Sequence, residues 1–194
     1  MKKLLIAIAL LASNTVLAQT KPGEPLGMVI DVQGNATVNE AGKNTKLEML
    51  SYLRPQNEIN LAQGANLTVT WYSNSKELKF AGPAKLKVEP QGIKVVSGAA
   101  AQERSVEGEK VAATKKLPSR LGQAAVNMRG IKPMTPEQEA AREKLRPAEN
   151  APVADWVVYA MGLEQIGLTG EAKNVWRKLS AQRPDDPKLK KLAE

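Results

Sequence analysis

Ser73-Asn74-Ser75-Lys76 reproduces the Ser-x-x-Lys spacing with which a lysine amine can activate a serine hydroxyl for acyl transfer. That chemistry needs its serine at the start of a helix in a much larger domain. Here the four residues fall between two strand-like runs, so a polar hairpin turn is the favoured reading. Asp185-Asp186 offers two hard oxygen donors for a cation, yet no spaced ligand loop surrounds it, and a turn after Pro184 is expected. Asp31 and Glu58 become a carboxylate pair only if a fold is assumed. The chain has no histidine and no cysteine. This removes imidazole acid/base chemistry, thiol nucleophiles, Ser-His-Asp triads and nearly every zinc or transition-metal site. No enzyme is expected, and no catalytic, cofactor-binding or metal-binding residue is assigned.

Binding chemistry is better represented. Lys79, Lys85, Lys87 and Lys94 are expected on the polar face of a sheet, with Lys76 in the adjoining turn, forming a basic patch. It suits lipopolysaccharide phosphates, acidic glycans or an acidic protein. The favoured reading of these lysines is that they solubilise the face and blunt its edges, with anion contact as the alternative. Nucleic acid is not expected, because no aromatic stacking platform interleaves with the lysines. Among the aromatics, Trp71 and Tyr72 point to opposite faces of one strand, so one should be partly exposed; core or cross-strand packing is the favoured reading and a contact site the alternative. Trp156, Tyr159 and Trp176 carry the same pair of readings, intramolecular packing or partner docking.

The elements that must position these residues begin behind a leader. Lys2 and Lys3, an apolar run over residues 4–12 and Val16-Leu17-Ala18 form a secretory signal peptide over residues 1–18, cleaved after Ala18. The apolar run is too short to span a bilayer, no cysteine follows for lipidation, and no later stretch is apolar enough for a transmembrane segment. A periplasmic protein of 176 residues is expected, its formal charge falling from +8 to +6 as the two lysines leave. Without cysteine, its stability must come from packing.

Residues 26–98 read as β structure. Leu67, Val69 and Trp71 alternate with Thr68, Thr70 and Tyr72, as a half-buried strand requires. Leu78 and Phe80, Leu86 and Val88, and Ile93 to Val96 continue the scheme between turns at Ser73-Asn74-Ser75, Gly82-Pro83 and Pro90-Gln91-Gly92. An antiparallel sandwich or partly open barrel follows. Gly27-Met28-Val29, Val32-Gln33-Gly34-Asn35-Ala36-Thr37-Val38, Ala65-Asn66-Leu67-Thr68-Val69 and Leu78-Lys79-Phe80-Ala81-Gly82-Pro83-Ala84-Lys85-Leu86 resemble the FecR domain, the periplasmic part of ferric-citrate-type regulators. The resemblance rests on fold-level glycines and aliphatics over about 70 residues. Those regulators carry a cytoplasmic anti-sigma segment and a membrane helix before the domain, where this chain has a leader. The resemblance therefore implies a free-standing sensing or interaction module.

Residues 99–152 are rich in Ala, Lys, Glu and Pro and read as a charged linker with one helix near 135–146. Thr135-Pro136-Glu137-Gln138 supplies a capping box with proline at the first helical position, and Pro147 stops the helix. Leu121, Ala124, Ala125 and Met128 fit a helical stripe or a docking strand. Residues 153–194 resemble one tetratricopeptide repeat. Trp156, Ala160 and Leu163 take the large-small-large spacing of its first helix, and Ala172, Trp176 and Pro184 that of its second. One such hairpin must bury its open face on the β block, the helix from Thr135, another copy or a different protein. The expected function is a non-catalytic interaction or scaffold module that docks another envelope protein or self-associates through its C-terminal helices. The alternative is a periplasmic sensor whose basic β face takes an anionic glycan or lipid headgroup.

Overall fold

The computed structural model describes residues 23–116 and 134–194; the leader and the apolar piece at 121–128 lie outside them. Ten strands, numbered in chain order, form two antiparallel five-stranded sheets. The first sheet runs β10 (Gln102–Ser105), β7 (Lys76–Ala81), β6 (Asn66–Trp71), β1 (Gly27–Gln33), β4 (Tyr52–Leu53). The second runs β3 (Lys43–Lys46), β2 (Ala36–Glu40), β5 (Glu58–Leu61), β8 (Ala84–Glu89), β9 (Gly92–Ser97). Five helices are described: α1 (Gly108–Thr114), α2 (Pro136–Leu145), α3 (Val153–Gln165), α4 (Thr169–Gln182) and α5 (Pro187–Ala193).

Period-two alternation builds the core between the sheets. Leu67, Val69 and Trp71 of β6 and Leu78 and Phe80 of β7 meet Ile59 and Leu61 of β5 and Leu86 and Val88 of β8. Each such aliphatic or aromatic side chain contributes about 1.5–3 kcal/mol through burial. On β8 the outward residues Lys85 and Lys87 alternate with this set and stay exposed.

The first sheet has a second buried face. Met28 and Ile30 of β1, with Met49 and Leu50 of the loop between β3 and β4, share a core with Val157, Met161, Trp176 and Leu189 of the helices. A bulge makes this possible: Val29 pairs with Val69 and Asp31 with Thr68, leaving Ile30 as the extra residue. The bulge resets the strand's parity. Ile30 and Asp31 consequently both face the helices, one packing among their apolar side chains and the other accepting a 2.8 Å hydrogen bond from Arg183.

The Thr68, Thr70 and Tyr72 face of β6, the polar side of the expected half-buried strand, is therefore covered. Thr68 and Thr70 are buried, and the Tyr72 hydroxyl donates to the Thr114 carbonyl at 2.9 Å. A branched threonine presents a methyl to the helices as readily as a hydroxyl to water, so alternation alone cannot tell which covers it.

The linker read over 99–152 also differs. Its described residues carry β10, α1 and α2, and Val111, Ala113 and Leu145 are buried. Few apolar residues suffice because each sits where a short element meets the sheet or α3. Thr135 caps α2 by accepting from the Gln138 backbone N–H, while the Gln138 side chain accepts from the Thr135 N–H. The same Gln138 amide donates to the Ile166 carbonyl, fastening α2 to the end of α3. Gly162 lets the two helices approach, since a Cβ there would lie 2.6 Å from Leu145 Cδ1. Past α3, Gly167 turns the chain at φ +85° into α4.

The open side of the last helices is thus spent within the molecule, on the first sheet, α1 and α2. Lys188 at the start of α5 donates to the Met49 carbonyl at 2.9 Å and lies 3.3 Å from Glu48. Among the described residues, no helix is long and apolar enough to cross a membrane.

Candidate functional site

Three helices leave one groove open between them. Arg142 near the end of α2 and Arg146, the residue that caps the helix, line the same wall. On α3, Trp156, Tyr159 and Leu163 form a stripe at spacings of three and four. On α4, Asn174, Val175, Lys178 and Gln182 form another. The stripe of α3 is the floor and the other two helices are the walls of two adjoining depressions, of about 490 and 280 Å³.

Trp156 lies partly exposed over this floor, its ring edge-on to Tyr159 at 5.9 Å between centroids and 76° between planes. Such a T-shaped pair holds both rings in fixed orientation. Tyr159 is 7% exposed, and its hydroxyl makes no hydrogen bond among the described residues. Burial, and after it the charge of Glu171, raises that hydroxyl above the ordinary tyrosine range, while Arg142 and Arg146 oppose the shift. At neutral pH it is therefore a proton donor facing the groove. Arg142 reaches Glu171 at 3.6 Å, and its buried Nε has no acceptor among the described residues. Arg146 touches Glu143 at 3.8 Å in an exposed pair of the kind that contributes little. Lys178 has no ion pair among the described residues. The groove offers an apolar floor and a surplus of donors.

The other aromatic candidates resolve differently. Trp71 is 1% exposed inside the sandwich, and Trp176 is fully buried with its indole N–H donating to Glu164 at 2.8 Å. Tyr72 is half-buried and, with Tyr52, holds the end of α1 through the Thr114 and Lys115 carbonyls. Of the five residues, Trp156 and Tyr159 line an open groove.

The five lysines do not form one patch. Lys76 and Lys79 belong to β7 in the first sheet, where Lys76 pairs with Glu103. Lys85, Lys87 and Lys94 lie on the outer face of the second sheet. The expected patch is divided because β7 and β8, joined by the turn at Gly82-Pro83, pair in different sheets. On the second sheet, Lys87 is directly opposite Glu58 on one side and Lys94 on the other, while Lys85 is opposite Asn60 and Ser97. Lys46 joins them from β3, opposite Thr37.

Ser73 and Ser75 sit in the β6–β7 turn, and Asp186 caps α5 by accepting from the Lys188 and Leu189 backbone N–H groups. Asp31 and Glu58 lie in different sheets, one against the helices and the other on an exposed face. Sequence reasoning missed Arg142, Arg146 and Lys178. The signal was present as two arginines spaced by four near the end of a capped helix, but nothing in the sequence placed that helix beside Trp156. It also missed Arg104, which reaches Glu77 at 2.8 Å and Asp155 at the start of α3. Asp155 first, and Glu77 after it, raise the already high pKa of Arg104. No protein-family model, no curated protein and no solved structure matches the chain.

Proposed function

We propose that the protein is a non-catalytic interaction module exported to the periplasm of a bacterium, its leader cleaved after Ala18. The FecR-like sandwich is the rigid platform, and the tetratricopeptide-like helices held on it present a docking groove to another envelope protein or a second copy. The observation that carries this reading is Trp156: it lies half-open over an apolar floor, whereas Trp71 and Trp176 are sealed. Large aromatics set in a groove are the side chains most often found at the centre of protein interfaces.

A photo-crosslinking amino acid at Val175, on the groove wall, tests it in living cells. A discrete adduct that is absent when the crosslinker stands at Asn60, and lost in Trp156→Ala, supports docking. Crosslinking at neither position, with a monomer by light scattering at every concentration, would exclude a stable partner at the groove.

A second reading has an observation of its own. Lys87 and Lys94 face each other directly across β8 and β9, a like-charge arrangement that costs stability on an exposed sheet. With Lys85 and Lys46 it supports an anionic glycan or lipid headgroup on this face. Binding there should weaken steeply as salt screens it.

A further inference from the structure

We infer that the three-helix groove takes an acidic peptide segment, with an apolar side chain on the Trp156 floor and carboxylates against the cations of its two walls. The inference rests on the docking reading and adds the chemistry of the partner.

The donors decide the charge. Arg142 has five N–H groups and, among the described residues, one ion-pair contact, at 3.6 Å. A carboxylate can meet a guanidinium through two parallel hydrogen bonds, a geometry the long Glu171 contact does not reach. The Tyr159 hydroxyl, which makes no hydrogen bond among the described residues, supplies another donor at the floor. Arg146 and Lys178 stand on opposite walls, so a segment lying along the groove has a cation on each side. Two carboxylates, Glu149 and Glu171, also line it. They disfavour a polyanion with charge at every position and favour a segment in which acidic and apolar residues alternate. The net positive charge of the chain steers such a segment toward the protein.

The molecule contains its own reporter. Trp71 and Trp176 are buried, so a change in tryptophan emission on ligand addition reads mainly Trp156. The full mature chain is titrated with a short peptide alternating glutamate and leucine, and with its glutamine and lysine counterparts. The glutamate peptide should give a saturable blue shift, absent in Trp156→Phe. Binding should weaken roughly tenfold in Arg142→Gln/Arg146→Gln/Lys178→Gln and remain in Lys85→Gln/Lys87→Gln/Lys94→Gln. An unchanged thermal midpoint in both variants keeps folding out of the comparison.

Equal binding of the glutamine peptide would overturn the acidic preference and leave docking intact. Loss in the sheet variant instead of the groove variant would move the site to the second sheet. No binding of the glutamate peptide would also overturn the inference. The Val175 crosslink then shows whether docking falls with it: an adduct means a partner of other chemistry, and its absence removes both.

Discussion

The two sheets share one core yet differ in what covers their outer faces. On the second sheet the outward residues of the central strands are Glu58, Asn60, Lys85 and Lys87, all exposed. On the first they are Met28, Ile30, Thr68 and Thr70, all buried beneath helices from the far end of the chain. A sheet covered on both faces loses the alternation by which a strand is recognised, and the uninterrupted burial of residues 27–31 is the visible mark of this. Inward faces are local facts of the sequence. Outward faces depend on a layer supplied many residues away.

The sharpest way to break this comparison is to truncate one outward residue on each sheet. Ile30→Ala should destabilise the protein by about 2–5 kcal/mol and Asn60→Ala by no more than about 0.5 kcal/mol, read from urea unfolding of the full chain. Equal small effects would mean that the helical layer is not seated on β1. Next in size is Arg183→Met, which among the described residues leaves the buried Asp31 carboxylate with the side-chain amide of Gln33 alone; a loss of about 1–3 kcal/mol is expected. A double-mutant cycle with Asp31→Asn should return a coupling above about 0.5 kcal/mol if the two act as one contact.

Tyr72→Phe should cost about 1 kcal/mol at neutral pH through its lost bond to Thr114. It also has a pH signature. Burial, with the nearby Tyr52 second, raises the Tyr72 hydroxyl above its ordinary value of 10.0, so the folded state holds the proton after the unfolded chain has released it. That stabilisation is complete below about pH 10 and is lost as pH climbs toward the folded value. The wild type should lose stability in alkali more steeply than Tyr72→Phe, and parallel alkaline curves would place Tyr72 in water. The smallest effect belongs to the second sheet. Lys94→Glu replaces a like-charge neighbour of Lys87 by an opposite one and should add about 0.2–1 kcal/mol, with the gain fading in high salt.

Much of the sandwich was legible because its signals are short-range. Leu67, Val69, Trp71, Leu78, Phe80, Leu86 and Val88 alternate in the sequence and meet in the core. The bulge at Ile30 left no such signal, and with it went the recognition that Asp31 faces Arg183. The groove was half legible. Trp156 and Tyr159 stood out by type, whereas Arg142 and Arg146 drew no attention in a helix full of charges. Their importance comes from Gly162 and Leu145, whose close contact lays α2 along α3. The lysine patch failed for a topological reason, since adjacent strands in sequence need not be adjacent in a sheet.

The hydrogen bond from Arg183 to Asp31 joins residues 152 positions apart, the first strand to the turn that precedes the last helix. A polypeptide delivered amino end first can close its sandwich early, but Met28, Ile30, Met49 and Leu50 stay wet until α3 and the helices after it arrive. A product broken off before α3 would present an apolar sheet face to its surroundings, a hazard for aggregation or proteolysis.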